Sequence, residues 1–331
     1  MTLTPGKKHH IERLANPAGI IAAAAMDQRG SLAKSIAAAR GVDRSSITPA
    51  MMEEFKSAVT AVLSPHASAL LLDPEFGLPA ASLRHAQCGL LLAYEASGYD
   101  NTRPGRLPDL LDAVSVRRIK EWGADAVKLL VYYTPFEKPE INEIKHAFVE
   151  RVGAECAAED LAFFLEFVGY DADGGDEKSI EYARRKPEIV IASMAEFSRP
   201  QYRVDVLKVE FPVNPAFVQG SRACKGVHAY TRAEALSLFQ QASAAASRPF
   251  IYLSAGVDNE VFIEQLEMAA EAGSAFSGVL CGRATWKGGI PIYAREGAAA
   301  FHQWLATEGV ANINRINAAL GAAHPCWDRL G

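Results

Sequence analysis

Residues 204–212 read VDVLKVEFP, an almost unbroken apolar run closed by Pro212. Alternation places Val204, Val206 and Lys208 on one face of an extended chain. Apolar side chains on both faces suit a strand covered on both sides, as in a parallel sheet flanked by helices. Seven further runs have the same character: residues 19–27 (GIIAAAAMD), 68–77 (SALLLDPEFG), 89–95 (GLLLAYE), 126–133 (AVKLLVYY), 162–171 (AFFLEFVGYD), 249–256 (PFIYLSAG) and 278–285 (GVLCGRAT). Helical periodicity fills the gaps at residues 48–64, with Pro49 in the first turn, and at 107–123, 138–158, 179–197, 232–246, 259–272 and 294–309. Eight strands alternating with helices predict an α/β chain folded as a closed (β/α)8 TIM barrel rather than an open doubly wound sheet. Only residues 78–88 separate the second run from the third, too few for a crossover helix. Residues 28–67 separate the first from the second, so extra helical material is expected there. No linker or shift in composition interrupts the chain, and residues 1–331 read as a single barrel domain.

The composition excludes several function classes. With 34 Lys and Arg against 39 Asp and Glu, the net charge is −5, and no basic cluster offers a footprint for nucleic acid. Five widely spaced cysteines without a C-x-x-C pair point to a reducing compartment and no structural zinc. No apolar stretch approaches the ~18 residues of a membrane span. The run at residues 18–26 imitates a signal-peptide core after the basic residues Lys7 and Lys8, but Asp27-Gln28-Arg29-Gly30 follows at once and the run is needed as the first strand. The eight histidines avoid the ends of the expected strands, which speaks against an imidazole metal site. No G-x-S-x-G elbow, phosphate-binding P-loop or dinucleotide fingerprint occurs, and no cofactor is implied.

In such barrels chemistry sits at the C-terminal strand ends, so charges inside apolar runs mark the site. Lys128, Glu166 and Lys208 interrupt the fourth, fifth and sixth runs, which are expected to be adjacent strands ~4.8 Å apart. A lone Lys–Glu pair would read as a buried structural ion pair. Two lysines around one carboxylate leave a surplus positive charge in a desolvated place, which is expected to depress an amine pKa. A neutral amine is what attack on a ketone requires, and Glu166 would then serve as acid and base. The pattern favours Lys208 as nucleophile, with Lys128 as the alternative. Ser254, Ala255 and Gly256 after the seventh run and Gly282 and Arg283 after the eighth sit where barrels hold phosphate, and an arginine fork suits that anion. Asp27, Gln28 and Arg29 add polar groups at the end of the first run.

The blocks MDQRG (26–30), LLDPEFGLPA (71–80), GLLLAYE (89–95), VDVLKVE (204–210), YLSAGV (252–257) and GVLCGRATW (278–286) closely resemble the tagatose 1,6-diphosphate aldolase family of class I aldolases. The similarity runs over about residues 11–305. It implies a metal-independent TIM barrel that cleaves a ketose bisphosphate, D-tagatose 1,6-bisphosphate, to dihydroxyacetone phosphate and glyceraldehyde 3-phosphate. It further implies that Lys208 forms the Schiff base, Glu166 transfers protons, and Lys128 and Asp27 polarise and position the substrate. The loops at Ser254–Gly256 and Gly282–Arg283 would bind the ketone-side phosphate. A cytoplasmic homodimer is the expected form. Residues 167–169 (FVG) and 287–291 (KGGIP) depart from the family pattern and bear on the distal end of the substrate. A sulfofructose-phosphate or fructose 1,6-bisphosphate aldolase, or a sugar-phosphate-binding regulator without turnover, are the competing readings.

Overall fold

The computed structural model describes residues 3–99 and 102–330. Each of the eight apolar runs yields one strand, and the strands are β1 (Ile21–Ala25), β2 (Ala69–Leu72), β3 (Gly89–Ala93), β4 (Ala126–Tyr132), β5 (Ala162–Val168), β6 (Val206–Val209), β7 (Phe250–Leu253) and β8 (Gly278–Cys281). They pair in parallel in chain order, and β1 closes against β8, giving the expected barrel. Every strand stops short of the end of its run. After β2, for example, Asp73 accepts the Phe76 N–H at 2.9 Å and starts a turn.

Alternation sorts the side chains into two cores. Ile21, Ala23, Ala25, Leu71, Leu91, Ala93, Phe164, Val206, Ile251 and Leu280 fill the barrel interior. Residues of opposite parity, such as Leu70, Leu92, Val127, Phe163, Leu207 and Phe250, pack outward under the helices. Each fully buried Val, Leu or Phe of that outer layer contributes ~1.5–3 kcal/mol. Helix α1 (Pro5–Leu14) and the C-terminal turn plug the floor through Ile11, Leu14, Cys326 and Leu330. The closing seam needs a glycine: Gly278 has φ +134°, and a Cβ there would lie 2.0 Å from the Ile21 carbonyl oxygen. The Trp286 indole donates to the Ala25 carbonyl at 3.0 Å and fastens the same seam above.

The extra material before β2 is α2 (Gly30–Arg40) and α3 (Pro49–Leu63), the latter capped by Thr48 with Pro49 at its first turn. The connection after β2 holds one turn, α4 (Leu78–Ala81). Residues 107–123, read as a helix, are helical only in α5 (Val116–Glu121). The preceding stretch is drawn out because Leu110 bridges Glu95 and the Ala96 and Leu111 amides donate to the Asp109 and Tyr94 carbonyls. Helices α6 (Pro139–Ala158), α7 (Ile180–Phe197), α8 (Arg232–Ala245) and α9 (Asn259–Glu271) fall where periodicity placed them. Beyond β8 lie α10 (Arg283–Trp286), α11 (Ile290–Glu296), α12 (Ala298–Trp304) and α13 (Val310–Ala318). The single helix expected at 294–309 is instead broken, because Gly297 takes φ +83° between α11 and α12, and a π turn then joins α12 to α13.

Candidate active site

A cavity of about 480 Å³ opens at the C-terminal end of the barrel. Its deep wall is formed by the inward faces of β4, β5 and β6. Register pairs Leu130 with Glu166 and Glu166 with Lys208, so the three interrupting charges converge in the lumen. Glu166 Oε2 lies 2.8 Å from Lys208 Nζ and 2.9 Å from Lys128 Nζ, one oxygen shared by two ammonium groups.

Lys128 is the more tightly held of the two lysines. Besides Glu166 it meets Asp27 at 2.9 Å and Glu95 at 2.6 Å, and it is fully buried. The lumen therefore contains three carboxylates against two lysines, which corrects the surplus positive charge expected from the sequence. Burial pulls the Lys128 ammonium down, but attraction to Asp27, Glu166 and Glu95 outweighs it and holds the group well above the usual lysine range. Burial likewise pushes Asp27 and Glu166 up, and the two lysines more than offset it, leaving both carboxyls below their ordinary values. Lys208, by contrast, meets a single carboxylate among the described residues.

Glu95 is the residue that inspection of the sequence missed. It ends a run without interrupting it, so nothing local distinguishes it from a loop residue. Its Oε2 accepts the Leu130 N–H at 3.1 Å while Oε1 holds Lys128, which ties the end of β3 to β4. Arg29 stands behind it, donating to the Glu95 carbonyl at 2.9 Å and to Glu75 at 2.5 Å. Arg29 is buried at the cavity edge, its guanidinium paired with the Glu75 carboxylate and 3.8 Å from Glu95 Oε1. Lys56 of α3 is equally hidden from sequence reading. Fully buried, it donates to the Met26 and Gln28 carbonyls and pairs with Asp73 at 2.5 Å, locking the ends of β1 and β2 together. Breaking such a buried pair costs ~3–5 kcal/mol.

The wall beyond β7 and β8, continuing from β6 around the barrel, is made of backbone and the Arg283 guanidinium. Ala255 and Gly256 turn through φ +48° and +79° after β7. A Cβ on Gly256 would lie 2.6 Å from the Arg283 guanidinium carbon, so the guanidinium packs flat against that glycine. Arg283 is exposed and pairs with no carboxylate among the described residues. Lys287 donates to the Gly256 carbonyl at 2.9 Å and fixes the turn. Gln28 reaches the cavity from β1, donating to Asp27 at 3.2 Å and approaching Gly282, where a Cβ would come within 3.2 Å of its amide nitrogen. The structure thus brings Asp27, Gln28, Arg29, Lys128, Glu166, Lys208, Ser254, Ala255, Gly256, Gly282 and Arg283 around one cavity. One wall carries a lysine amine beside a carboxylate, and the other offers amides and a guanidinium suited to an anion.

Residues 21–288 match the model of the DeoC/LacD family of aldolases. Over 327 residues the chain is 54% identical to tagatose 1,6-diphosphate aldolase 2 of Enterococcus faecalis, covering 99% of this chain and 97% of that protein. It is 47% identical over 327 residues to tagatose 1,6-diphosphate aldolase of Streptococcus pneumoniae, covering 99% of each. Among solved structures, fructose-bisphosphate aldolase of Plasmodium falciparum superposes with a TM-score of 0.66 at 14% identity over 96% of both chains, a likeness of fold.

Proposed function

The chain belongs to the DeoC/LacD family of aldolases, and on that premise we propose that it cleaves D-tagatose 1,6-bisphosphate reversibly to dihydroxyacetone phosphate and glyceraldehyde 3-phosphate through a Schiff base on Lys208. The observation that carries this reading is the Glu166 oxygen shared between Lys208 and Lys128. Of two buried lysines, the one gripped by three carboxylates is fixed as an ammonium, and the attack on the ketone is assigned to the one with a single carboxylate partner. Lys208 Nζ adds to the C2 ketone, and the ketone oxygen leaves as water after receiving protons, giving a cationic iminium. Lys128, positioned by Asp27 and Glu95, donates to the departing oxygen. Glu166, ionised in the resting enzyme, takes the C4 hydroxyl proton. The C3–C4 bond electrons then flow into the iminium, the aldehyde leaves, and an enamine remains on Lys208. Protonation at C3 and hydrolysis release dihydroxyacetone phosphate and restore the amine.

The turn at Ser254–Gly256 with Gly282 and Arg283 suits the C1 phosphate, since it lines the same cavity at the end of β7, the strand that pairs with the Lys208 strand. A sugar-phosphate-binding regulator would need neither a bridged lysine pair nor a proton-accepting carboxylate between them. A homodimer acting in the cytoplasm accompanies this reading. Among the described residues no helix is long and apolar enough to cross a membrane. The test is borohydride reduction in the presence of dihydroxyacetone phosphate. It should attach a three-carbon adduct to the peptide containing Lys208, and label on Lys128 or on no lysine would overturn the mechanism. A panel of tagatose, fructose and sulfofructose phosphates settles the substrate, and tagatose 1,6-bisphosphate should be cleaved most efficiently or equal to the best.

A further inference from the structure

Glu210 is a charged residue of the cavity that the mechanism above does not use. Glu210 lies two residues past Lys208 on the same face, ~7 Å nearer the mouth at a strand rise of ~3.3 Å per residue, and it lines the cavity. Its carboxylate is held from the β5 side: Oε2 accepts the Gly169 N–H at 2.8 Å and Oε1 pairs with Lys186 of α7 at 3.0 Å. A Cβ on Gly169 would crowd the Tyr182 hydroxyl at 2.8 Å and meet Glu210 Oε2 in ordinary contact at 3.4 Å. The residue is therefore immobilised and leans away from the anion-binding wall of β7 and β8. A carboxylate has about four acceptor positions, and two contacts leave it able to accept more.

A ketose joined through C2 to Lys208, with its C1 phosphate on Gly256 and Arg283, must run its remaining carbons past Glu166 and then past Glu210. We propose that Glu210 is a specificity-determining residue that accepts a hydrogen bond from the hydroxyl of the aldehyde half of the substrate, the one carried next to C4. Its negative charge suits a hydroxyl donor and turns the distal phosphate away from this wall. The inference rests on the aldolase reading above, and the experiment separates the two.

Three rates are compared in the wild type, Glu210→Gln and Glu210→Asp. They are solvent exchange of the C3 hydrogen of dihydroxyacetone phosphate, condensation with glyceraldehyde 3-phosphate, and condensation with 3-oxopropyl phosphate, which lacks the 2-hydroxyl. In both variants exchange should stay within about twofold of wild type. Condensation with glyceraldehyde 3-phosphate should fall about 10- to 100-fold, the effect of a lost hydrogen bond to a charged acceptor. The rate with 3-oxopropyl phosphate should hold, so the preference for the hydroxylated aldehyde collapses. Glu210→Asp keeps the charge but withdraws it by one methylene, and it decides the matter if Glu210→Gln folds poorly. An equal loss with both aldehydes, a parallel loss of exchange, or no loss at all would overturn the proposal. Absence of exchange in the wild type would instead remove the aldolase reading beneath it.

Discussion

Replacing Gly256 by alanine tests the phosphate wall with one methyl group. Gly256 has φ +79°, where an alanine costs ~1–2 kcal/mol of backbone energy. The new Cβ would lie 2.6 Å from the Arg283 guanidinium carbon, and ordinary contact begins near 3.4 Å, so the guanidinium must retreat by most of an ångström. Arg283 is the exposed end of a flexible side chain, so this retreat adds little to the stability loss. It removes the flat fork from the place where the C1 phosphate would sit. A charge-assisted hydrogen bond is worth ~1.5–3 kcal/mol, so KM for tagatose 1,6-bisphosphate should rise ~10- to 100-fold. The proposed contact would be made in the substrate complex and in the transition state alike, so kcat should change little. Gly226→Ala is the control, because Gly226 has φ +97° and a Cβ there would meet nothing within 4 Å. Steady-state cleavage coupled to glyceraldehyde 3-phosphate oxidation, with thermal melts of both variants, reads the two effects apart. If Gly256→Ala and Gly226→Ala lose similar stability and both keep the wild-type KM, Arg283 does not hold the phosphate and the assignment of that wall is wrong.

Three further outcomes are expected. Glu166→Gln keeps a hydrogen-bonding side chain but removes the proposed base, so kcat should fall ~10²–10⁴-fold; a variant with wild-type turnover would take Glu166 out of the mechanism. Lys128→Met leaves Asp27, Glu95 and Glu166 facing one another around an apolar side chain and should cost ~3–5 kcal/mol in urea unfolding at neutral pH. Asp27 and Glu166 have lowered folded-state pKa values in the wild type, so their contribution is present above the ordinary carboxylate range and is lost as pH falls. Without Lys128 that contribution is gone, so the deficit should persist down to the ordinary carboxylate range, about pH 4, and shrink as the pH is lowered below it; a deficit that stays constant there would refute the electrostatic account. Exhaustive treatment with EDTA should leave cleavage intact, and loss of activity restored by zinc would contradict the iminium mechanism.

The strands were legible because burial on both faces leaves a local signature, and the Lys128, Glu166 and Lys208 convergence followed from alternation alone. What stayed hidden depended on partners distant in sequence. Glu95 acquires its meaning from Lys128 on the next strand, and Lys56 from carbonyls at the end of β1, so no neighbouring residue marks either. The charge balance of the lumen was misjudged for the same reason, since two of its three carboxylates arrive from β1 and β3. Residues 107–115 carry helical spacing, yet their backbone groups find partners at residues 94–96, and tertiary pairing overrides local preference. The break at Gly297 was visible only as a glycine, a residue that helices also tolerate.

The seam between β1 and β8 has a consequence for how the chain is made. Ile21 pairs with Gly278 and Ala24 with Cys281, so the first strand to leave the ribosome waits for the last before both of its edges are satisfied. Until then β1 and the most recently synthesised strand each present unpaired amides and carbonyls, a template for association with other nascent chains. Its alanine-rich sequence, IAAAA, makes that waiting edge less adhesive than a row of valines and isoleucines would be. Filling β1 with larger β-branched residues would therefore be expected to lower the yield of soluble protein during synthesis by more than it lowers the melting temperature of molecules that have already closed.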